Sequence, residues 1–121
     1  MQDKVGADQY RATQMCGTRR YMPQEVFYGK PYGIPVDVYS FSLMLWEVAS
    51  LDIPYEGMTA QEHVWSAYRL KIRPRIKMKW PKLLKRWIKK GWSHKPQARL
   101  KMASISNEMH QYLTAKGLQV E

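Results

Sequence analysis

The residues best equipped for chemistry lie together in the stretch Gly17-Thr18-Arg19-Arg20-Tyr21-Met22-Pro23-Gln24-Glu25. Its front half is basic, aromatic and rich in hydrogen-bonding groups, and a proline and a carboxylate then lead into a short helix. Such a loop suits recognition of a polar partner. Taken by themselves, Thr18 and Tyr21 are ordinary loop polar residues, and Glu25 and Arg99 are surface charges. The other reactive side chains are scattered. His63, His94 and His110 have no metal-ligand spacing with one another or with Cys16, so no metal site is expected. No neighbouring pattern lowers the pKa of Cys16, which reads as a plain thiol.

The charge is concentrated. Arg69 to Lys90 holds eleven Lys or Arg and no Asp or Glu, while the rest of the chain carries nine basic and ten acidic residues. The whole formal charge of +10 therefore resides in one block. The segment PKLLKRWIKKGW, which begins within it, could act as a basic amphipathic helix for an anionic membrane or for calmodulin. Trp80, Trp87 and Trp92 among lysines could stack on single-stranded nucleic acid. The plainer reading packs the apolar face inside a fold and leaves the lysines solvated. On that reading an acidic partner at residues 69–90 is possible, and nucleic acid is not the expected partner.

With 121 residues, 45% apolar content and five tryptophans, the chain is one folded domain or part of one. The longest apolar run, Leu43 to Trp46, is far too short to span a bilayer, so no transmembrane segment is expected. The first residues lack the apolar core of a secretory signal. A single cysteine forms no internal disulfide, which favours a cytoplasmic location, with the nucleus as a second.

The elements that must position the loop are helical. Residues 1–22 have no sustained period and read as irregular. Pro23 opens a short helical turn to about Tyr28, ended by Gly29 and Pro31. Pro35 to about Ser50 is apolar around nearly its whole circumference, which marks a central buried helix. Asp37 lies in its first turn, where a carboxylate favours the dipole. Thr59 and Glu62 have capping-box spacing for a helix over Ala60 to about Leu70. Arg69 to Trp80 alternates basic with apolar or Pro, which predicts an extended segment, and Pro74 makes it an edge or an unpaired one. A helix from Pro81 to about Lys90 is expected to stop at Gly91. The last helix runs from about Met102 to Thr114. The expected class is mostly α, about five helices around a central buried one.

In this order the features resemble the C-terminal part of a eukaryotic protein kinase domain, in particular the tyrosine-kinase-like branch of serine/threonine kinases. The resemblance runs from about Tyr10 to Met109. GTRRYM with Glu25 is similar to the family's stretch from substrate-recognition loop to Ala-Pro-Glu motif. Asp37-Val38-Tyr39-Ser40-Phe41 with Leu45-Trp46-Glu47 is similar to its central helix. Pro54-Tyr55, Arg73-Pro74, Trp80-Pro81, Trp92, Pro96 and Arg99 follow in the family's order.

The resemblance implies a division into an activation-loop-like segment (1–22), a helical subdomain (23–115) and a tail (116–121). It implies ATP-dependent phosphorylation of Ser or Thr in a protein substrate, as part of signalling. Thr18 resembles the threonine that bonds the catalytic aspartate and lysine. Gly17, Thr18, Arg19, Arg20 and Tyr21 become substrate-binding, with Arg19 to Tyr21 lining the pocket for the residue after the phosphoacceptor. Glu25 and Arg99 become a buried pair, and Asp37 an anchor of the catalytic-loop backbone. Tyr10 and Thr13 fall where activation-loop phosphorylation occurs.

Three departures stand out: Pro23-Gln24 in place of Ala-Pro, Ser42 where a glycine is usual, and Leu100 after Arg99 where a proline is usual. No Gly-rich phosphate loop, strand lysine, His-Arg-Asp or Asp-Phe-Gly precedes Gly17. ATP and Mg²⁺ are thus expected only for a full-length family member. This chain is expected to hold no catalytic residue and to be inactive by itself, its partners being a protein substrate or an upstream kinase segment. The alternative is a non-catalytic kinase-like module whose basic face binds a partner, a membrane or nucleic acid.

Overall fold

The computed structural model describes residues 19–117. Tyr10, Thr13, Cys16, Gly17 and Thr18 lie outside the described residues. Among those described there are five α-helices and no strand, as a mostly α reading requires. They are α1 (Gln24–Phe27), α2 (Pro35–Ser50), α3 (Ala60–His63), α4 (Lys82–Gly91) and α5 (Met102–Ala115).

Helix α2 is the axis of the fold. Tyr39, Leu43 and Trp46 enter a core with Phe27, Tyr55, Tyr68, Ile88 and Trp92. Val38 faces a second, smaller core with Trp87 of α4 and Ile105 of α5. One element thus feeds both cores, which explains why its apolar residues wrap most of the circumference. The wrapping is incomplete, however. Met44 and Val48 are 55% and 73% exposed, so one face of α2 looks outward.

The capping box of α3 is formed: Glu62 N–H donates to Thr59 Oγ1, and Thr59 N–H donates to Glu62 Oε1, both at 3.1 Å. The helix expected as far as Leu70 changes character after His63. Val64–Arg69 is π-helical, closed by Leu70 N–H on Trp65 O at 2.9 Å. The wider turn puts His63, Ala67 and Tyr68 against the core together, all three buried.

Contrary to the expectation from its period, the alternating basic segment is not extended throughout. Arg69 ends the π-helix, Lys71 is left-handed (φ 58°) and residues 78–80 turn, so only residues 72–77 lie between, in neither helix nor strand. Its carbonyls accept from core side chains instead of a neighbouring strand: Tyr55 Oη–H donates to Ile72 O (2.6 Å) and Trp46 Nε1–H to Arg75 O (2.7 Å). Gly91 differs from expectation as well. It is the last residue of α4, not the residue beyond its end, and its place is set by proximity. A Cβ there would fall 1.7 Å from Ser42 Oγ and 3.0 Å from Ser42 Cβ.

Candidate functional site

The loop singled out in the sequence begins the described chain as a short 3₁₀ turn, Arg19–Tyr21, closed by Met22 N–H on Arg19 O at 3.1 Å. Four side chains hold it. Ser40 Oγ donates to Tyr21 O (2.6 Å), and Tyr68 Oη donates to Met22 O (2.6 Å). Arg19 Nη2 reaches across to Met58 O at 2.9 Å. The Tyr21 hydroxyl donates to the Glu47 carboxylate of α2. Burial, then the bond to Glu47 and its negative charge, push the Tyr21 phenol up to about 12, against a smaller lowering by Arg20. At neutral pH it is a fixed hydrogen-bond donor.

Below Tyr21 a cavity of about 570 Å³ opens against α2, walled by Met22, Val26, Val36, Met44 and Val48, with Ser40 and Glu47 at its polar edge. Of Arg19, Arg20 and Tyr21, only Tyr21 borders it. Arg19 is turned inward and buried. Sequence reasoning did not single out Ser40 and Glu47. A signal was present: they are polar residues seven positions apart on a mostly apolar helix, and therefore share one face.

Behind the loop, Glu25 on α1 meets Arg99 in a bidentate pair, Nη1 to Oε2 at 2.6 Å and Nη2 to Oε1 at 3.0 Å. Both side chains are buried. The other donors of Arg99 go to backbone carbonyls: Nε to Ser93 O (2.8 Å), Nη1 also to Pro35 O (3.1 Å) and Nη2 also to His94 O (3.3 Å). The guanidinium lies 5.1 Å from the Tyr39 ring centre. One buried cation therefore ties α1, the start of α2 and the loop before Pro96 into one unit. Removing one partner of such a pair leaves an uncompensated charge, at a cost of about 3–5 kcal/mol.

Asp37 sits in the first turn of α2 and is exposed. Among the described residues, no three His, Cys, Asp or Glu side chains come together to hold a metal ion.

His63 is fully buried between the rings of Tyr55 and Tyr68, at centroid distances of 4.8 and 5.2 Å. Among the described residues, neither ring nitrogen has a hydrogen-bond partner. Burial above all, then the charges of Arg19, Arg20 and Arg73, lower its pKa to about 4.

Comparison with known proteins puts this arrangement in a family. The family model for protein tyrosine and serine/threonine kinase matches residues 1–109. The serine/threonine/tyrosine-protein kinase HT1 of Arabidopsis thaliana is 33% identical over 96 residues, covering 79% of this chain and 25% of HT1. Serine/threonine-protein kinase STY17 of the same plant is 30% identical over 105 residues, or 87% of this chain and 18% of STY17. The dual specificity protein kinase shkE of Dictyostelium discoideum is 33% identical over 99 residues, or 81% and 14%. This chain thus spans a quarter or less of the length of these relatives. A match over nine-tenths of the residues, on a helical frame that seats a loop against a central helix, makes this chain a partial protein kinase domain of the tyrosine and serine/threonine kinase family.

Proposed function

We propose that this chain is the substrate-side half of a protein kinase lower lobe, acting on Ser or Thr of a protein substrate when completed by the ATP-binding and catalytic segments of a longer kinase domain. The observation that carries the proposal is the seating of Tyr21. Its carbonyl is held by Ser40 and its hydroxyl by Glu47, beside an apolar cavity opening on α2. A rigid loop over an apolar recess is what positioning a polypeptide substrate requires. In this reading the cavity accepts the apolar residue next to the phosphoacceptor, and Glu47 and Ser40 join Tyr21 as positioning groups. Glu25 and Arg99 keep the loop from shifting. Asp37, exposed at the start of α2, is left to anchor a catalytic-loop backbone. Gly17 and Thr18 belong to the same substrate-facing loop, and Tyr10 and Thr13 to its phosphorylation-controlled approach. No helix among the described residues is long and apolar enough to cross a membrane, and the reading puts the protein in the cytoplasm.

The test uses the purified chain with Mg·ATP. Neither a change in melting temperature nor transfer of labelled phosphate to a protein acceptor is expected. A saturable rise in melting temperature with ATP would show a nucleotide site within these 121 residues and overturn the proposal.

A further inference from the structure

The basic block does not coat the surface evenly. The basic segment and helix α4 together enclose an open recess of about 500 Å³, with Arg73, Lys85 and Lys89 on its charged side and Ile76, Met78 and Trp92 on its apolar side. No carboxylate lines it. The two ion pairs among the described side chains, Arg86–Glu108 and Arg99–Glu25, lie elsewhere and use neither lysine.

Arg73 is held rigidly. Its Nε donates to Trp92 O at 2.8 Å and its Nη1 to Ala67 O at 2.9 Å and Ile72 O at 3.3 Å, with the guanidinium 5.3 Å from the Tyr39 ring centre, so Arg73 offers the recess its fixed charge more than free N–H groups. Lys85 Nζ donates to Met78 O at 3.1 Å, which ties the tip of the basic segment to α4 and leaves further N–H groups of the ammonium for a ligand. Lys85 and Lys89 are one helical turn apart and repel each other. A ligand that neutralises them relieves that repulsion.

We propose that this recess is a binding site for a phosphorylated residue, phosphoserine or phosphothreonine, within an otherwise apolar stretch of a partner polypeptide. A phosphate monoester carries about −1.5 to −2 charges at pH 7 and offers three acceptor oxygens, which matches one fixed and two adjustable cations. The apolar wall takes the neighbouring side chain, and Met78, 89% exposed, is open for that contact. Two other partners fit less well. Trp92 is 6% exposed and offers no ring face for a nucleobase to stack on. A bilayer meets a protein across a broad face, whereas these cations converge in a concavity. The proposal is independent of the substrate reading at Tyr21.

The experiment is fluorescence anisotropy with a ten-residue peptide carrying one phosphoserine between leucines, beside its unphosphorylated twin, at 0.15 M salt. The phosphopeptide is expected to bind at least about tenfold more tightly than the twin. The double variant K85Q/K89Q should lose that preference. K82Q/K90Q, which removes equal charge from α4 outside the recess, should change affinity by less than about threefold. Melting curves of both variants establish that α4 is intact, since Lys and Gln have similar helix propensity. Equal binding of the two peptides overturns the proposal. So does equal weakening by the two double variants, which would mean diffuse attraction. Binding of phosphatidylserine vesicles through Lys85 and Lys89 without phosphopeptide binding would assign the recess to a membrane and also overturn it.

Discussion

At the scale of single residues, His63 and Arg99 show opposite ways of burying a nitrogen base. The guanidinium of Arg99 is surrounded by two carboxylate oxygens and three carbonyls. His63 gives its charge up. With no acceptor at either ring nitrogen among the described residues, and with three arginines nearby, the imidazole folds only as the neutral base. Its pKa falls from 6.5 in the unfolded chain to about 4 in the folded one, so its neutral form costs nothing above pH 6.5. As pH falls below that value, the unfolded chain takes up a proton that the folded protein refuses, and stability drops until pH 4 is passed. Between pH 7.5 and 5.0 the loss is about 2 kcal/mol. Urea denaturation of the wild type at the two pH values should show it. His63→Leu should remove most of the difference whatever its own stability. If the variant keeps the full difference, the acid sensitivity belongs to another group.

At the scale of elements, the crossing of α2 and α4 is decided by one small pair. Ser42 Oγ occupies the space that a side chain at Gly91 would need, and it donates to Val38 O at 2.8 Å. The serine that departs from the family's usual glycine is thus accommodated by a glycine on the facing helix. Gly91→Ala improves helix propensity, yet it drives a methyl group into a short, hydrogen-bonded side chain. A net loss of about 1–3 kcal/mol is expected. Ser42→Gly by itself costs about 0.5 kcal/mol of helix propensity. Combining the two opens the contact again, so S42G/G91A should be more stable than the additive sum of the single variants. Thermal or urea unfolding of the four proteins measures the coupling. Strict additivity would mean that the helices simply move apart.

At the scale of the whole molecule, the outward face of α2 is the least finished surface. Met44 and Val48, exposed by 55% and 73%, lie along it and line the cavity under Tyr21, and Leu51, 89% exposed, follows the helix end. Two cores on the other sides fully occupy Val38, Tyr39, Leu43 and Trp46, so this face is spare to folding. A contiguous apolar surface of this kind binds another polypeptide or a hydrophobic dye. The chain should therefore enhance the fluorescence of such a dye in its native state. Changing Met44 and Val48 together to Lys should lower the signal by about half or more and leave the melting transition within a few degrees. A native protein that ignores the dye would show that the face is covered, for instance by self-association.

Local chemistry carried much of this into the sequence. The Thr59–Glu62 capping box and the apolar helix opened by Pro35 depend on residues within a few positions of one another, and both are found as expected. The seat of the recognition loop was half legible, since Ser40 and Glu47 show as polar positions on one face of α2, but their partner does not. Tertiary structure decided the rest, because those contacts join residues far apart in the chain. It joined Glu25 to Arg99 across 74 positions and Tyr21 to Glu47 across 26. It set Gly91 against Ser42 and buried His63 with no hydrogen-bond partner among the described residues. Periodicity reports which face of an element is apolar. Only packing determines which faces meet, and how closely.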